Sequence, residues 1–470
     1  MTVHKLSAGD GYTYLTRQVA SADERRSAGQ ALADYYTAHG SPPGVWLGGG
    51  AATLGVAGAE VSEAQMRALF GAGAHPNRDA MLATGATKAD TRLGSAYPKY
   101  PPADEHASGR VRRAVAGYDL VFTPVKSASL LWALGGPDVR AAVEAAHHDA
   151  VSSTIGWVEQ HAAYTRTGHG GVAQVDTTGL VCAAFDHRES RSSDPDLHTH
   201  VAVANKVCGL DGRWRSLDAR GLHALGVAAS ERYNTRFEDA LSSRLGVEFV
   251  ERPGAGNGKR PIREVAGVPS ELIRHFSKRR AAIEDAYIDL ARVYRHNHGR
   301  DPSKRTQLRL AQQATLATRQ GKPSGRTLAE QVTDWTEQAS SVVGRDGLRR
   351  MLATALGQTP RPTSLDHIEV EAVAVRVLAM VSEQRSTWTR WNLYAETERQ
   401  LRSSRFATAR ERDAVTEAVV GRATGPALSI RINAPEFVVD PQAMRRPSDG
   451  QSVFVPHGAE RYTCATILKR

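Results

Sequence analysis

Cysteine is nearly absent: three residues in 470, Cys182, Cys208 and Cys464, too few and too far apart for a disulfide scaffold or a Cys-only metal cage. No apolar run approaches the ~18 residues of a membrane-spanning helix. The opening stretch, MTVHKLSAGDGYTY, lacks the apolar core of a secretory signal. Together these absences point to a reducing compartment, with a cytoplasmic location and no membrane insertion expected. The remaining composition is that of a globular protein, 41% hydrophobic and 23% charged. At about 150 residues per domain the length suggests two or three domains.

Charge is uneven. The chain carries 60 Lys+Arg against 50 Asp+Glu, a formal charge of +10. Residues 251–330 hold 17 of the bases and 8 of the acids, so +9 of the excess lies in that stretch. Clustered Lys and Arg gain affinity for a polyanion by displacing counterions from phosphates. A solvated basic helix surface produces the same pattern, so charge alone leaves both readings open.

Pro/Gly-rich breaks, HGSPPGVWLGGG and YPKYPPADEHASG, flank a helical candidate at 62–70. GYDLVFTPV (117–125) alternates as a strand does, and 139–162 has the period of a long amphipathic helix. Strand candidates follow at 179–187 and 197–207, then a turn at 211–218 and a helix at 230–246 ended by Gly246. Residues 247–266 have a Gly-rich turn between extended arms, the pattern of a hairpin. The GKPSG stretch (321–325) reads as a linker into mostly helical segments, including 367–384 and 387–404, with extended pieces LSIRINA and QSVFVP after them. Strands gathered in the first half with helices between them predict an α+β fold. The expected division is 1–325 and a smaller helical part, 326–470, with a winged-helix-like order of three helices followed by strands.

The most informative segment is FDHRESRSSDPDLHTHVAVAN (185–205). In a strand, alternate side chains share a face, so His198, His200, Ala202 and Ala204 point one way and Leu197, Thr199, Val201 and Val203 the other. The second set is a core face. The first offers two imidazoles beside small alanines, and His187 on the preceding strand could add a third nitrogen. Among 17 histidines a lone His-x-His pair is weak evidence, and His296-Asn297-His298 is a second pair with cationic neighbours and no strand pattern, read as surface. Three imidazoles without a carboxylate leave a divalent ion its full charge for Lewis-acid work. Such a site suits a zinc hydrolase or a phosphoryl-transfer enzyme equally. The nucleophile must decide. Tyr12 and Tyr14 stand together, with Tyr35 and Tyr36 downstream. A tyrosine attack on phosphorus gives a covalent intermediate, though a phenol with a pKa of about 10 needs help to act.

In these segments the chain resembles the conjugative relaxases of the TrwC/TraI (MobF) type, within the HUH endonuclease group. The resemblance runs in order through AGDGYTYLTRQ, ADYYTAHGSPPGVWLGGGAATLGV, GYDLVFTPVKSAS, FDHRESRSSDPDLHTHVAVANKV, DGRWRSLD and FSKRRAAIE, spanning about residues 4–320. It implies a central antiparallel sheet with flanking helices, His187, His198 and His200 as metal ligands, and a tyrosine presented across the sheet. Tyr14 is favoured as nucleophile because its Tyr-Leu context matches, with Tyr12 close behind and Tyr35 and Tyr36 as auxiliary or second-cut residues. Asp119 matches the aspartate that orients a histidine or the tyrosine hydroxyl, and Arg191 matches an arginine suited to clamp the scissile phosphate. The implied activity is strand-specific nicking and rejoining at a transfer origin through a 5′-phosphotyrosine.

The expected ion is Mg²⁺ or Mn²⁺, with Zn²⁺ as a further option. Single-stranded and hairpin DNA, relaxosome proteins and secretion coupling proteins are the implied partners. The basic hairpin and helix supply Lys259, Arg260, Lys278, Arg279 and Arg280 as DNA contacts. A nucleotide-binding loop requires G-x-x-x-x-G-K-[ST]; GAGNGKR (254–260) is one residue short and ends in Arg, so no nucleotide cofactor is expected. The last segment resembles the lead-in to the family's helicase, which would then follow beyond this sequence. The alternatives are a rolling-circle replication initiator of the same group, or a DNA-binding module with an inactive metal site.

Overall fold

The computed structural model describes residues 1–16, 42–97, 113–252, 262–319, 326–358, 368–433 and 440–469. Tyr35, Tyr36, Lys259, Arg260 and the expected linker at 321–325 lie outside these described residues. Among the described residues the first half carries β1 (Thr2–Ser7), β2 (Gly44–Leu47), β3 (Glu60–Val61), β4 (Val115–Phe122), β5 (Tyr164–Thr167), β6 (Ala173–Asp176), β7 (Cys182–Glu189) and β8 (Pro195–Ala204), followed by a short pairing of Val207–Cys208 with Trp214–Arg215. Six of them form one sheet in the order β1-β4-β8-β7-β2-β3, with every neighbouring pair antiparallel. β5 and β6 make a separate hairpin. The fold is the expected α+β arrangement around a central antiparallel sheet.

Period-two alternation divides the sheet between two cores. Leu197, Val201 and Val203 of β8 join Leu120 and Phe122 of β4 under two 27-residue helices, Gly136–Ala162 and Ala219–Leu245. On the opposite face, Ala183 and Phe185 of β7 and Ala202 and Ala204 of β8 pack with Tyr12, Leu15, Trp46 and Phe70. That second core stops short of the C-terminal end of β7 and the N-terminal end of β8, where the histidines stand.

Helices named from here are α1 (Lys126–Leu134), α2 (Gly136–Ala162), α3 (Ala219–Leu245), α4 (Lys278–His298), α5 (Lys304–Ala317), α6 (Leu328–Ala355), α7 (Val370–Gln384), α8 (Arg390–Gln400) and α9 (Ala409–Thr424). α3 starts eleven residues before the expected 230. Gly221 and Gly226 cost about 1 kcal/mol each in helix propensity, whereas burying Leu222 and Leu225 returns about 1.5–3 kcal/mol apiece. The Asp218 carboxylate accepts from the Arg220 amide and caps this early start. Gly246 ends the helix in the left-handed region, φ 61°, as expected. β4 ends at Phe122 rather than Val125, because Pro124 and the extended Val125 lead directly into α1. QSVFVP (451–456) is not a strand: the buried Arg446 guanidinium donates to the Ser452 and Val455 carbonyls and curls the segment around itself. The 247–266 hairpin forms, Phe249–Glu251 pairing with Arg263–Val265.

Residues of the C-terminal part share the helix-side core. Trp335 of α6, Val377 of α7 and Trp391 of α8 all belong to it. α8 and α9 also lock onto α3 through buried ion pairs. Arg236 of α3 bridges Glu398 at 3.0 Å and also pairs with Asp413, and the fully buried Arg412 clasps Asp239 with two nitrogens while donating to the Leu401 and Ser404 carbonyls. α7, α8 and α9 are followed by a short pairing of Ile430–Arg431 with Tyr462–Thr463. Among the described residues no helix is long and apolar enough to cross a membrane.

Arg412→Met leaves the largely enclosed Asp239 without its main partner, so the unfolding free energy should fall, by up to about 3–5 kcal/mol, in urea titration; a loss under about 1 kcal/mol contradicts this packing. α2 supplies a second check. Burial depresses His147 and His161 from 6.5 to about 3, so both fold in the neutral form. Below pH 6.5 the unfolded chain takes up protons that the folded chain refuses, so stability should decline as pH falls from about 6.5 toward 3. A thermal midpoint that stays flat across that window contradicts the assignment.

Candidate metal and nucleophile site

β7 and β8 pair so that His187 faces His198 and Phe185 faces His200. This register places all three imidazoles on one sheet face, each offering a ligand nitrogen within 4.8 Å of the others. His187 is buried, and the other two are largely enclosed. Their hydrogen bonds decide which nitrogen is available. His198 Nδ1 donates to the Asp196 carbonyl at 2.6 Å, and His200 Nδ1 donates to Asp119 Oδ2 at 2.8 Å. Both Nε2 atoms are thereby left as acceptors. A carboxylate or carbonyl behind a histidine is the usual support for a metal-ligating imidazole.

Asp119 stands on β4, next to β8, and is 2% exposed. Its Oδ2 accepts a short hydrogen bond from the Tyr14 hydroxyl as well as the bond from His200. The Tyr14 ring meets the His200 ring edge-on, centroids 5.6 Å apart. Burial, then the charge of Asp119 and the bond to it, push the Tyr14 phenol well above its ordinary range. The resting side chain is a neutral phenol whose proton already points at a carboxylate.

Tyr12 is placed differently. It is 3% exposed within the second core, and its hydroxyl donates to Glu63 Oε1 at 2.8 Å, on the helical segment at Glu63–Met66. Burial, then that bond, raise its phenol too. Of the four expected tyrosines, Tyr12 and Tyr14 are among the described residues, and of these two it is Tyr14 that meets the histidines.

Arg191 lies in the β7–β8 turn, which is tight enough to hold Ser193 at φ 58°. Burial and the neighbouring charges of Arg319 and Arg279 lower its pKa, which marks a cationic cluster at the turn. Of the expected DNA contacts, Lys278 donates its backbone amide to Asp194 and its ammonium to Gln338. Arg279 donates to the Thr315 and Thr318 carbonyls and so fastens the end of α5 to the start of α4. Arg280 pairs with Glu284, and its side chain is 73% exposed. The second His-x-His pair lies at the exposed end of α4, away from any strand, as read.

Sequence reasoning missed the residues that support this geometry. Lys126, at the head of α1, donates to the Pro195 carbonyl at 2.7 Å and to Asp196 at 3.1 Å, steadying the strand end that carries His198. Glu63, Asp186 and His147 were equally silent, because nothing in their local sequence shows what they will face.

The TrwC relaxase family model matches residues 8–342, which is 335 of 470 positions. The chain belongs to the TrwC relaxase family. Among curated relatives, this relaxase is 30% identical over 410 residues to the multifunctional conjugation protein TraI of Escherichia coli, and 29% identical over 420 residues to TraI of strain K12. Each match covers 84% of this chain but only 20% of the relative, so the chain spans about a fifth of their length. Among solved structures it is similar to the copper-bound conjugative relaxase TrwC in complex with oriT DNA, TM-score 0.50 and 23% identity, over 73% of this chain and 98% of that one. The metal-bound TrwC–oriT DNA complex matches with the same TM-score and identity over 72% and 97%. At this identity the likeness shows the fold.

The residues of this relaxase fit a divalent ion on their own chemistry. Three converging imidazoles, two with Nδ1 committed to an oxygen acceptor, form a nitrogen donor set that could hold such an ion. His198→Ala or His200→Ala should weaken Mn²⁺ binding about tenfold or more in calorimetric titration, while His296→Ala leaves it unchanged. Equal loss in all three variants contradicts the site.

Proposed function

We propose that this relaxase nicks and rejoins one strand of a transfer-origin DNA through Tyr14. The observation that carries the reading is the Asp119 carboxylate, which accepts from Tyr14 and from His200 at once. Tyr14 Oη attacks the scissile phosphorus, its proton passes to Asp119, and the bond to the 3′ oxygen breaks. The 3′ oxygen takes a proton from solvent and leaves as a hydroxyl, and the 5′-phosphate remains on the tyrosine. Asp119 serves as the base because it is already within hydrogen-bonding reach of the proton it removes. The ion, Mg²⁺ or Mn²⁺ in preference to Zn²⁺, supplies positive charge to the non-bridging phosphate oxygens when bound.

The same residues run the reverse reaction. A 3′-hydroxyl gives its proton to solvent as it attacks the phosphotyrosine, and Asp119 returns the stored proton to the departing Tyr14, so rejoining needs no nucleotide cofactor. Arg191, in a turn near Arg279 and Arg319, is the residue we assign to hold a phosphate oxygen. Arg280 offers an exposed contact to the DNA backbone, with Lys259 and Arg260 of the hairpin as further contacts. Tyr35 and Tyr36 are assigned to a second cleavage. Hairpin and single-stranded origin DNA, relaxosome proteins and a secretion coupling protein are the partners this activity requires.

The test is a denaturing gel after incubation with origin single strand and Mn²⁺. Wild type and Tyr12→Phe should give a covalent protein–DNA band, and Tyr14→Phe should give none. Cleaved DNA without a covalent band overturns the tyrosine mechanism. A band that survives Tyr14→Phe but not Tyr12→Phe overturns the assignment, and binding without cleavage favours a DNA-binding module.

A further inference from the structure

The face of β7 and β8 opposite the histidines carries an unbroken line of hydrogen bonds. Asp186 and Thr199 face each other across the two strands, between the Phe185–His200 and His187–His198 pairs. Thr199 Oγ1 donates to Asp186 Oδ1. Its hydroxyl has one proton, so toward His147 it must accept, and His147 Nε2, 2.7 Å away, must be the donor. His147 Nδ1 is then bare and accepts from the Tyr233 hydroxyl at 2.8 Å. At the far end, His148 Nε2 lies 2.7 Å from Asp186 Oδ2.

Every donor and acceptor thus falls into one direction, from Tyr233 on α3 through His147 on α2 to Thr199 on β8 and Asp186 on β7. His147 and Tyr233 are fully buried, and Thr199 is 2% exposed. The buried Leu197, Val201 and Val203 set which face of β8 turns to the helices, and the hydrogen bonds at this rung add a directional constraint that an apolar contact there would lack; a slip of one residue would break them and turn the imidazoles to the other face of the sheet.

We infer that Tyr233, His147, Thr199 and Asp186 are positioning residues for the histidine triad, holding β7 and β8 in the one register that converges the three imidazoles. The inference rests on the metal reading of that triad. The line acts through the strands and touches neither ion nor DNA. Its consequence is a metal affinity set from the helix side of the sheet.

The test uses the full chain stripped of metal and Mn²⁺ as the probe, with affinity from calorimetry and stability from thermal unfolding. Thr199→Val keeps the shape and removes both hydrogen bonds, and should weaken Mn²⁺ binding about tenfold or more, the scale seen when support behind metal ligands is lost. Thr199→Ser restores the hydroxyl and should bind within about threefold of wild type. Asp186→Asn keeps the size but removes the charge, and should weaken binding in the same direction as Thr199→Val. It carries the test if Thr199→Val fails to fold. A lowered unfolding temperature with unchanged Mn²⁺ affinity in these variants overturns the inference, since a merely structural link gives that result. Failure of wild type to bind Mn²⁺, or binding unaffected by His198→Ala, removes the metal reading and this inference with it.

Discussion

A single carboxylate joins the two halves of the chemistry. Asp119 comes from β4, His200 from β8 and Tyr14 from the helical turn at 13–16, so three distant parts of the sequence meet on one pair of oxygens. The carboxylate is 2% exposed, which keeps water from competing for it. In such a setting a hydrogen bond to a charged acceptor is stronger than at the surface. Without Asp119, His200 would lose the acceptor that fixes its tautomer, and Tyr14 would lose the acceptor of its hydroxyl hydrogen bond.

The sheet makes that meeting possible because it is covered unequally. α2 and α3 pack on one face, while among the described residues the N-terminal core reaches on the other face as far as Phe185 and Ala202. The histidines occupy the strand ends beyond that cover. The order β1-β4-β8-β7 sets Asp119 beside the His198/His200 strand and His187 on the far side of it. α8 and α9 hold α3 in place with Arg–carboxylate pairs, so the C-terminal part braces the helix layer on which the histidine-bearing strands rest.

Much of this was legible in the sequence. The alternation of LHTHVAVAN placed His198 and His200 on one face, and the short FDH strand put His187 within reach. Those features depend only on the two-residue period of a strand. Spacing alone did not separate Tyr12 from Tyr14, and only the resemblance favoured Tyr14; Tyr12 closes the 3-10 turn Asp10–Tyr12 and Tyr14 lies in the helical turn after it, and tertiary packing sends Tyr12 to Glu63 and Tyr14 to Asp119. Thr199 read correctly as core-facing, yet its two hydrogen bonds come from residues 52 and 13 positions away. The basic region was visible as charge, but not that Arg279 would spend its guanidinium on the end of α5 while Arg280 faces solvent. The early start of α3 was hidden by two glycines whose cost the buried leucines exceed.

The most direct test of the central claim is the single-turnover rate of covalent adduct formation by Asp119→Asn on origin single strand, with Mn²⁺ raised to saturation. Asparagine keeps the size of the side chain but cannot take the Tyr14 proton. The expected result is a rate about a hundredfold or more below wild type even with the metal site filled. A rate within twofold of wild type would contradict the shared carboxylate as the base for Tyr14.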